Sequence, residues 1–499
     1  MSFLPLHYRA LVALLFVTAL GLLVCRWVLA GSSLSRAFNQ RAVYWLLATS
    51  LAFLIANFWV LLAVLALLFI LAARKDENPV SLYLMFILCL PPHAVDTGSI
   101  GPIENLMEMS TNRMLSLVIL LPLAIKLIFE RLSPAPGQQF VAHKRLYRVT
   151  DTIVVLFAIY QISMYIPLDS ATHVMRRSFL ITIDFLLPYF VISRFCTTRE
   201  RIMDSLGAIL IAGMILSIVA TFEHAKGWLL YETIHSYWDL PPTFTVFLLR
   251  DDVLRAVGPV GHSLVLGHLL VICLGLAGIF LRQLSKPRSL ALFAILLMGM
   301  YSTVSRGPWV AGAIVLLMMG VFHPRAGRYY LSLVGIGALV VGAIAVSPWA
   351  EKVVNLLPFV GNTDQSTVDY RQQLLETTFF LVGQNPLFGS VTVLEQMEHL
   401  RQGQGIIDLV NVYADIALTF GLIGLTFFVL FFVTAMGSAL YTQALGPKRD
   451  RKAVELVGFS SMAMFGSMVT LVGISNFATV PLTYTAMVAL LVAMSRLPR

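Results

Sequence analysis

Charge is scarce in this chain of 499 residues. Asp, Glu, Lys and Arg make up only 12% of it against 58% hydrophobic residues, and the mean hydropathy is +0.83. A soluble domain carries about a quarter charged residues, so this composition excludes a water-soluble globule and requires a bilayer around much of the surface. Cysteine is nearly absent as well. Cys25, Cys89, Cys196 and Cys273 fall in apolar runs or at their ends without metal-ligand spacing, so neither a disulfide framework nor a zinc site is expected. No internal repeat is visible, and no basic stripe interleaved with aromatics lies on a soluble segment. The net charge of +9 is therefore not read as nucleic-acid binding. The first apolar run ends in 28-VLAGSS, which has the look of a cleavage site, but Arg26 and the many later spans favour an uncleaved anchor.

What is present in abundance is apolar runs long enough to cross a membrane. Spans are expected near 9–29, 42–73, 80–92, 114–130, 150–168, 176–195, 203–222, 262–282, 289–304, 308–322, 329–347, 411–441, 454–474 and 479–496, about fourteen in all. The run 42–73 is too long for one ordinary span and short for two, and Asn57 with Trp59 at its middle fits a tight hairpin. Lys and Arg collect in alternate loops: Lys144, Arg145 and Arg148; Arg194, Arg199 and Arg201; Arg282, Lys286 and Arg288; Arg325 and Arg328; 448-KRDRK; Arg496 and Arg499. The positive-inside bias places these loops in the cytoplasm. The segments 93–113, 223–261, 304–307, 348–410 and 475–478 then lie outside.

The expected architecture is a single all-α polytopic membrane domain over 1–499 with two large outer loops, 223–261 and 348–410. The first loop holds Trp228, Tyr231, Tyr237 and Trp238, which either anchor at the bilayer interface or stack on sugar faces. The second contains 367-TVDYRQQLLETTFFLVGQNPLFG, with apolar residues at helical spacing and stop signals at Asn385-Pro386 and Gly389. That pattern predicts an amphipathic helix on the outer membrane surface.

Three arginines stand at the outer mouths of apolar spans. Arg306 interrupts the apolar stretch 289–322 and is followed by Gly307 and Pro308, with Ser305 before it. These are helix-start signals, so a helix N-terminus with free backbone N–H groups opens outward beside a guanidinium, an anion site. The competing reading is a snorkelling arginine in a tight turn. Arg255 precedes Gly258-Pro259 and the span carrying His262 and His268, and repeats the pattern. Arg371 in the second loop reads equally as a solvated surface residue. Arg176 and Arg177 open another span at its outer end. Asp184 lies seven residues beyond Arg177 on the same helical face, so an Arg177–Asp184 pair or an interhelical pair is expected, either structural or in contact with substrate. In 405-GIIDLVNVYADIALTFGLIGL, Asp408 and Asn411 suit helix caps, or a hydroxyl-activating base and a positioning group. Asp415 follows about one turn further in.

The stretches 302-STVSRGPW, 371-RQQLLETTFFLVGQNPLFGS and 411-NVYADIALTFGLIGL resemble the O-antigen polymerase and O-antigen ligase superfamily, which includes exopolysaccharide repeat-unit polymerases. The resemblance covers mainly 250–440 and rests on the order, spacing and outward placement of these segments. It implies a glycosyltransferase of the GT-C type in the bacterial inner membrane, with its active site facing the periplasm. The implied donor is an undecaprenyl-pyrophosphate-linked oligosaccharide, used with no metal and no other cofactor. The further partners implied are the bilayer and a chain-length regulator or export complex. The pyrophosphate-binding arginines would fall on Arg255 and Arg306, with Arg371 as a third candidate; His262, Arg177 and Asp415 are further substrate-binding candidates. The ligases begin their late span with a His-Asn pair followed by glycines. Asn411, Gly421 and Gly424 fit that pattern, but Val410 stands where the histidine would be. This departure favours the polymerase branch, with Asp408 or Asp415 as the base. The alternatives are a ligase and a lipid-linked oligosaccharide flippase or transporter. A transporter would concentrate ionisable groups near the bilayer midplane rather than at one mouth.

Overall fold

The computed structural model describes residues 5–32, 38–98, 107–132, 146–167, 170–240, 248–250, 253–322, 326–346, 365–401, 407, 409–443 and 450–497. The helices are α1 (Leu6–Val28), α2 (Phe38–Leu54), α3 (Phe58–Lys75), α4 (Pro79–Phe86), α5 (Thr111–Leu115), α6 (Leu121–Leu132), α7 (Leu146–Tyr165), α8 (Ala171–Ile181), α9 (Leu187–Phe195) and α10 (Arg199–Lys226). They continue with α11 (Ile234–Tyr237), α12 (Ser263–Phe280), α13 (Lys286–Ser302), α14 (Arg306–Phe322), α15 (Ala326–Val346), α16 (Gln365–Gln384), α17 (Val412–Gln443), α18 (Arg451–Thr470) and α19 (Val480–Ser495). Two short antiparallel ladders, Ala94–Asp96 with Glu108–Ser110 and Leu249–Arg250 with Val253–Leu254, complete the described elements.

Among the described residues nine helical stretches are long and apolar enough to cross a membrane, and α14 and α19 are shorter apolar helices. The protein is thus a multi-pass, all-α membrane protein. The long run 42–73 resolves into two helices. Its chain turns at 55–57, where the Asn57 side chain accepts from the N–H groups of Trp59 and Val60 at 3.0 and 3.1 Å and caps α3. The carbonyls freed at the end of α2 are satisfied by side chains: Trp238 donates to Ala52, His7 to Phe53 and Tyr237 to Leu54. The hairpin accounts for the excess length.

Charge segregates to the two ends of the bundle. At one end Arg41, 3% exposed, bonds both Asp76 and Asp204 at 2.8–2.9 Å. There too Arg194 and Arg496 meet Asp151, Arg199 meets Asp450, and Arg282 meets Glu455. This is the end rich in Lys and Arg. The opposite end carries the candidate site.

Two helices depart from regular winding. The joints between α5 and α6 (Ser116–Leu120) and between α8 and α9 (Thr182–Leu186) are π-helical. Asp184 sits in the second joint, and its partner is not Arg177. Arg113 reaches it from the neighbouring helix, with Nε and Nη2 each 2.9 Å from Oδ2. Arg177 instead stacks over the Tyr165 ring, while Arg176 bonds Glu108 and Asp96. The extra residue of a π turn rotates Asp184 away from the α-helical face it would share with Arg177.

The expected continuous span 411–441 is also broken. Gly421 has φ 63° and ψ −170° inside α17. The segment 385–390 docks into the break: Leu422 N–H donates to Pro386 O and Ser390 N–H to Leu418 O, both at 2.8 Å, and the Tyr160 hydroxyl donates to Phe420 O. Backbone groups lost from the helix thereby find partners inside the protein, the condition for interrupting a helix at membrane depth. Helix α16 packs Leu374, Thr378 and Leu381 inward, on a small cluster with Val393, Met397 and Leu400. Phe379 and Phe380 on its other side stay 70% and 66% exposed, so it is apolar on two faces rather than simply amphipathic.

Candidate active site

The site is built on a strained turn. Between α13 and α14 the chain reverses over Thr303–Ser305, with Val304 at φ 46°, a region a β-branched residue enters only under constraint. Two arginines supply the constraint. Arg250 Nη1 donates to the Val304 carbonyl at 3.2 Å, and Arg255 Nη2 donates to Ser305 Oγ at 3.1 Å. Ser305 Oγ in turn donates to Thr303 O, and the Trp309 indole to Met300 O. The next residue after this turn is Arg306, the first of α14. Arg255 is therefore bonded to the residue that precedes Arg306, although the sequence separates the two by a whole helical hairpin.

The backbone around Arg255 is fixed on both sides. Its own N–H donates to Leu248 O, and Ala256 N–H donates to Ser302 O at 2.9 Å. The guanidinium is largely withdrawn from water, and its Nε is a buried donor with no acceptor among the described residues. Burial first, then Arg250 and Arg371 nearby, push Arg255 down to about 10. Arg371 reaches this group from α16. No carboxylate pairs with Arg255 among the described residues. A cation held beside two others, with an orphan donor, lacks an anion.

His262 completes this side. Its Nδ1 accepts from Leu264 N–H at 3.2 Å and caps α12, so the neutral ring carries its proton on Nε2. Burial, then Arg255, push its pKa down to about 4. The ring packs edge-on against Phe477, 5.6 Å away, in the loop before α19. The starts of α12, α14 and α17 thus all open at this end, together with their positive dipole ends.

On α17, Asn411 Oδ1 accepts from the N–H groups of Tyr413 and Ala414 at 3.0 and 3.2 Å. Its oxygen serves as a helix cap, so the capping alternative holds for Asn411. Asp415, one turn on, is partly buried and makes no hydrogen bond or ion pair with its carboxylate among the described residues. It lies within electrostatic reach of Tyr484, whose hydroxyl donates to Asn476 Oδ1 at 3.3 Å. Asp408 falls outside the described residues. Exposed Arg177, on α8, belongs to the Tyr165 stack and has no described contact with this cluster.

The structure adds two residues that sequence reasoning passed over. Arg250 stands beside Asp251 and Asp252, which disguised it as part of a solvated charge run. Glu223, fully buried at the end of α10, could have been found as a lone carboxylate closing an apolar span. Among the described residues no three His, Cys, Asp or Glu side chains gather in a metal-holding group.

Residues 291–429 match the family model described as O-antigen ligase. The matched segment contains the strained turn, Arg306, Arg371, Asn411, Asp415 and the broken helix, whereas Arg255 and His262 precede it. The match covers this segment alone, so residues 291–429 are similar to the O-antigen ligase family. No curated protein matches the chain significantly.

Proposed function

We propose that this protein is an inner-membrane, metal-independent glycosyltransferase of the GT-C type that polymerises lipid-linked polysaccharide repeat units on the periplasmic face. The observation that carries the reading is the buried Arg255, which has no carboxylate partner among the described residues, is crowded by Arg250 and Arg371 and is hydrogen-bonded to the turn before Arg306. A pyrophosphate joined to an undecaprenyl chain in the bilayer supplies the missing negative charge. As the sugar C1–O bond breaks, its electron pair passes to the pyrophosphate oxygen, and fixed cations and helix N-termini stabilise the charge that grows there. A sugar hydroxyl of the second lipid-linked unit attacks C1 from the opposite face, with inversion, and its proton passes to a carboxylate. Asp415 is assigned that role, being a membrane-embedded carboxylate with no structural partner among the described residues. Asp408 is the alternative carboxylate, and Asn411 caps the start of α17.

A ligase that moves glycan to a different acceptor is the second reading, favoured by the description of the matched family and opposed by Val410 at the position of the ligase histidine. Purified protein incubated with lipid-linked repeat units separates the readings. Polymerase activity gives a ladder on the carrier lipid in detergent, without an ion gradient. Ligation gives product only when a foreign acceptor is added, and a transporter gives no product. Asp415→Asn should lower kcat by about 10²–10⁴ with the fold intact; wild-type turnover would remove Asp415 from the mechanism.

A further inference from the structure

The loop that carries Arg250, Arg255 and His262 leaves α10 and returns to α12, and a single side chain grips both of its limbs. Glu223, in the last turn of α10, is 0% exposed. Its Oε1 accepts from Leu230 N–H at 3.1 Å on the outgoing limb. Its Oε2 accepts from Val257 N–H at 3.0 Å and Gly258 N–H at 2.9 Å on the returning limb. One turn earlier in the loop, Leu254 O accepts from the His224 ring at 2.9 Å, which puts that proton on Nδ1.

Three backbone donors on two oxygens need a group that only accepts. A carboxylate meets this condition, whereas a glutamine would turn an NH2 toward one of the N–H groups. The position is electrostatically awkward, because the C-terminal end of a helix repels an anion and no cation pairs with Glu223 among the described residues. Packing alone would be served by an apolar residue. The carboxylate is retained where its three bonds fix the two residues that follow Arg255 and Ala256, and hence the direction in which Arg255 leaves the backbone.

We infer that Glu223 is a positioning residue for the cationic site: by fixing Val257 and Gly258 it holds Arg255 against Ser305. The inference rests on the reading of this cluster as the pyrophosphate site. Glu223 touches no substrate, so its contribution runs through Arg255.

The test uses full-length protein in lipid nanodiscs, with undecaprenyl pyrophosphate as the probe. Affinity is measured for wild type, Glu223→Gln, Arg255→Ala and the double variant, and amide hydrogen exchange is followed over 228–231 and 254–258. Glu223→Gln should exchange faster at both stretches and bind the probe about tenfold more weakly, the consequence of misplacing one charged donor. The double variant should bind no worse than Arg255→Ala alone, because one residue acts through the other. A general loss of folding would instead give additive losses, which would overturn the inference. Wild-type affinity in Glu223→Gln beside a weakened Arg255→Ala would also overturn it, leaving the pyrophosphate reading in place. Wild-type affinity in Arg255→Ala would remove the pyrophosphate reading itself and this inference with it. Should Glu223→Gln fold poorly, Glu223→Asp, which keeps the charge one methylene short, takes its place with the same expected ordering.

Discussion

Replacing Arg255 by alanine is the most searching perturbation of this site, because the side chain works in two directions. Outward, it presents a buried Nε donor with no acceptor among the described residues; inward, its Nη2 bonds Ser305 and steadies the turn before Arg306. Removing one preorganised donor from a developing oxyanion costs about 2.7–4 kcal/mol, or roughly 10²–10³ in kcat. Loosening the strained turn would displace Arg306 as well, so Arg255→Ala should lie at the severe end of that range. Arg255→Lys keeps a charge but not the planar fork, and cannot hold Ser305 and an anion together; it should fall between alanine and wild type. Arg371→Ala should cost less, since Arg371 is exposed on α16. The assay is single-turnover transfer from a lipid-linked repeat unit in detergent, read as product on the carrier lipid. Because burial and two neighbouring cations bring Arg255 down to about 10, the wild-type rate should also fall as pH rises through that value, the cationic form being the active one. Near-wild-type rates in both Arg255→Ala and Arg306→Ala would refute the reasoning.

Two further substitutions probe the scaffold. In Gly421→Ala the new Cβ would stand 2.2 Å from Leu387 O on a backbone with φ 63°, and in Gly389→Ala 2.5 Å from Gly421 N with φ 68°. Each should lower stability by at least about 1–3 kcal/mol, seen as a lower thermal midpoint in detergent, and an unchanged midpoint would mean that the break in α17 does not form. His262, held near 4 against an ordinary 6.5, favours the folded state only while neutral. The unfolded chain takes up a proton first as pH falls, so this contribution is complete above about pH 6.5 and is lost progressively toward pH 4, by about 3 kcal/mol at most. In His262→Asn, which can still cap α12, the melting temperature should fall less across that window; parallel profiles would contradict the assignment.

The sequence made the spans and the polarity of the chain legible because both follow from local composition: apolar runs set the helices, and Lys and Arg set the charged end. The start of α14 at Arg306 was equally local, announced by Ser305 and Pro308. The hairpin at 55–57 was half visible, since Asn57 is a good cap but its register depends on Trp238, Tyr237 and His7 receiving the end of α2. The break at Gly421 was hidden. Its cause lies in 385–390, whose backbone replaces the lost helical bonds, and nothing within 411–441 marks that docking. For Asp184 the interhelical alternative held: the π turn rotates it away from Arg177, and its partner Arg113, which the sequence did not name, comes from another helix. Arg250 matters through a contact to a turn 54 residues away, and Glu223 through contacts 34 and 35 residues away, distances at which periodicity carries no signal.

That same long-range assembly gives the site a property that does not depend on turnover. Arg250 and Arg371 repel Arg255, and this repulsion adds to burial, the larger cause, in lowering Arg255. An anion bound among them removes the repulsion and fills the orphan Nε, so binding should stabilise the fold and restore full protonation of Arg255 above its ligand-free value. At one hundred times its dissociation constant a ligand contributes about 2.7 kcal/mol, enough to raise the melting temperature of a protein this size by a few degrees. Undecaprenyl pyrophosphate should therefore shift the wild-type midpoint upward, and the shift should shrink as pH rises through about 10, where binding requires Arg255 to take up a proton. Undecaprenol, which has the same tail and no charge, should not reproduce it, and Arg255→Ala should abolish most of it. Equal shifts from the charged and uncharged lipids would mean that the tail is bound and the head is not, and the arginines would then be no more than braces for the turn at Val304.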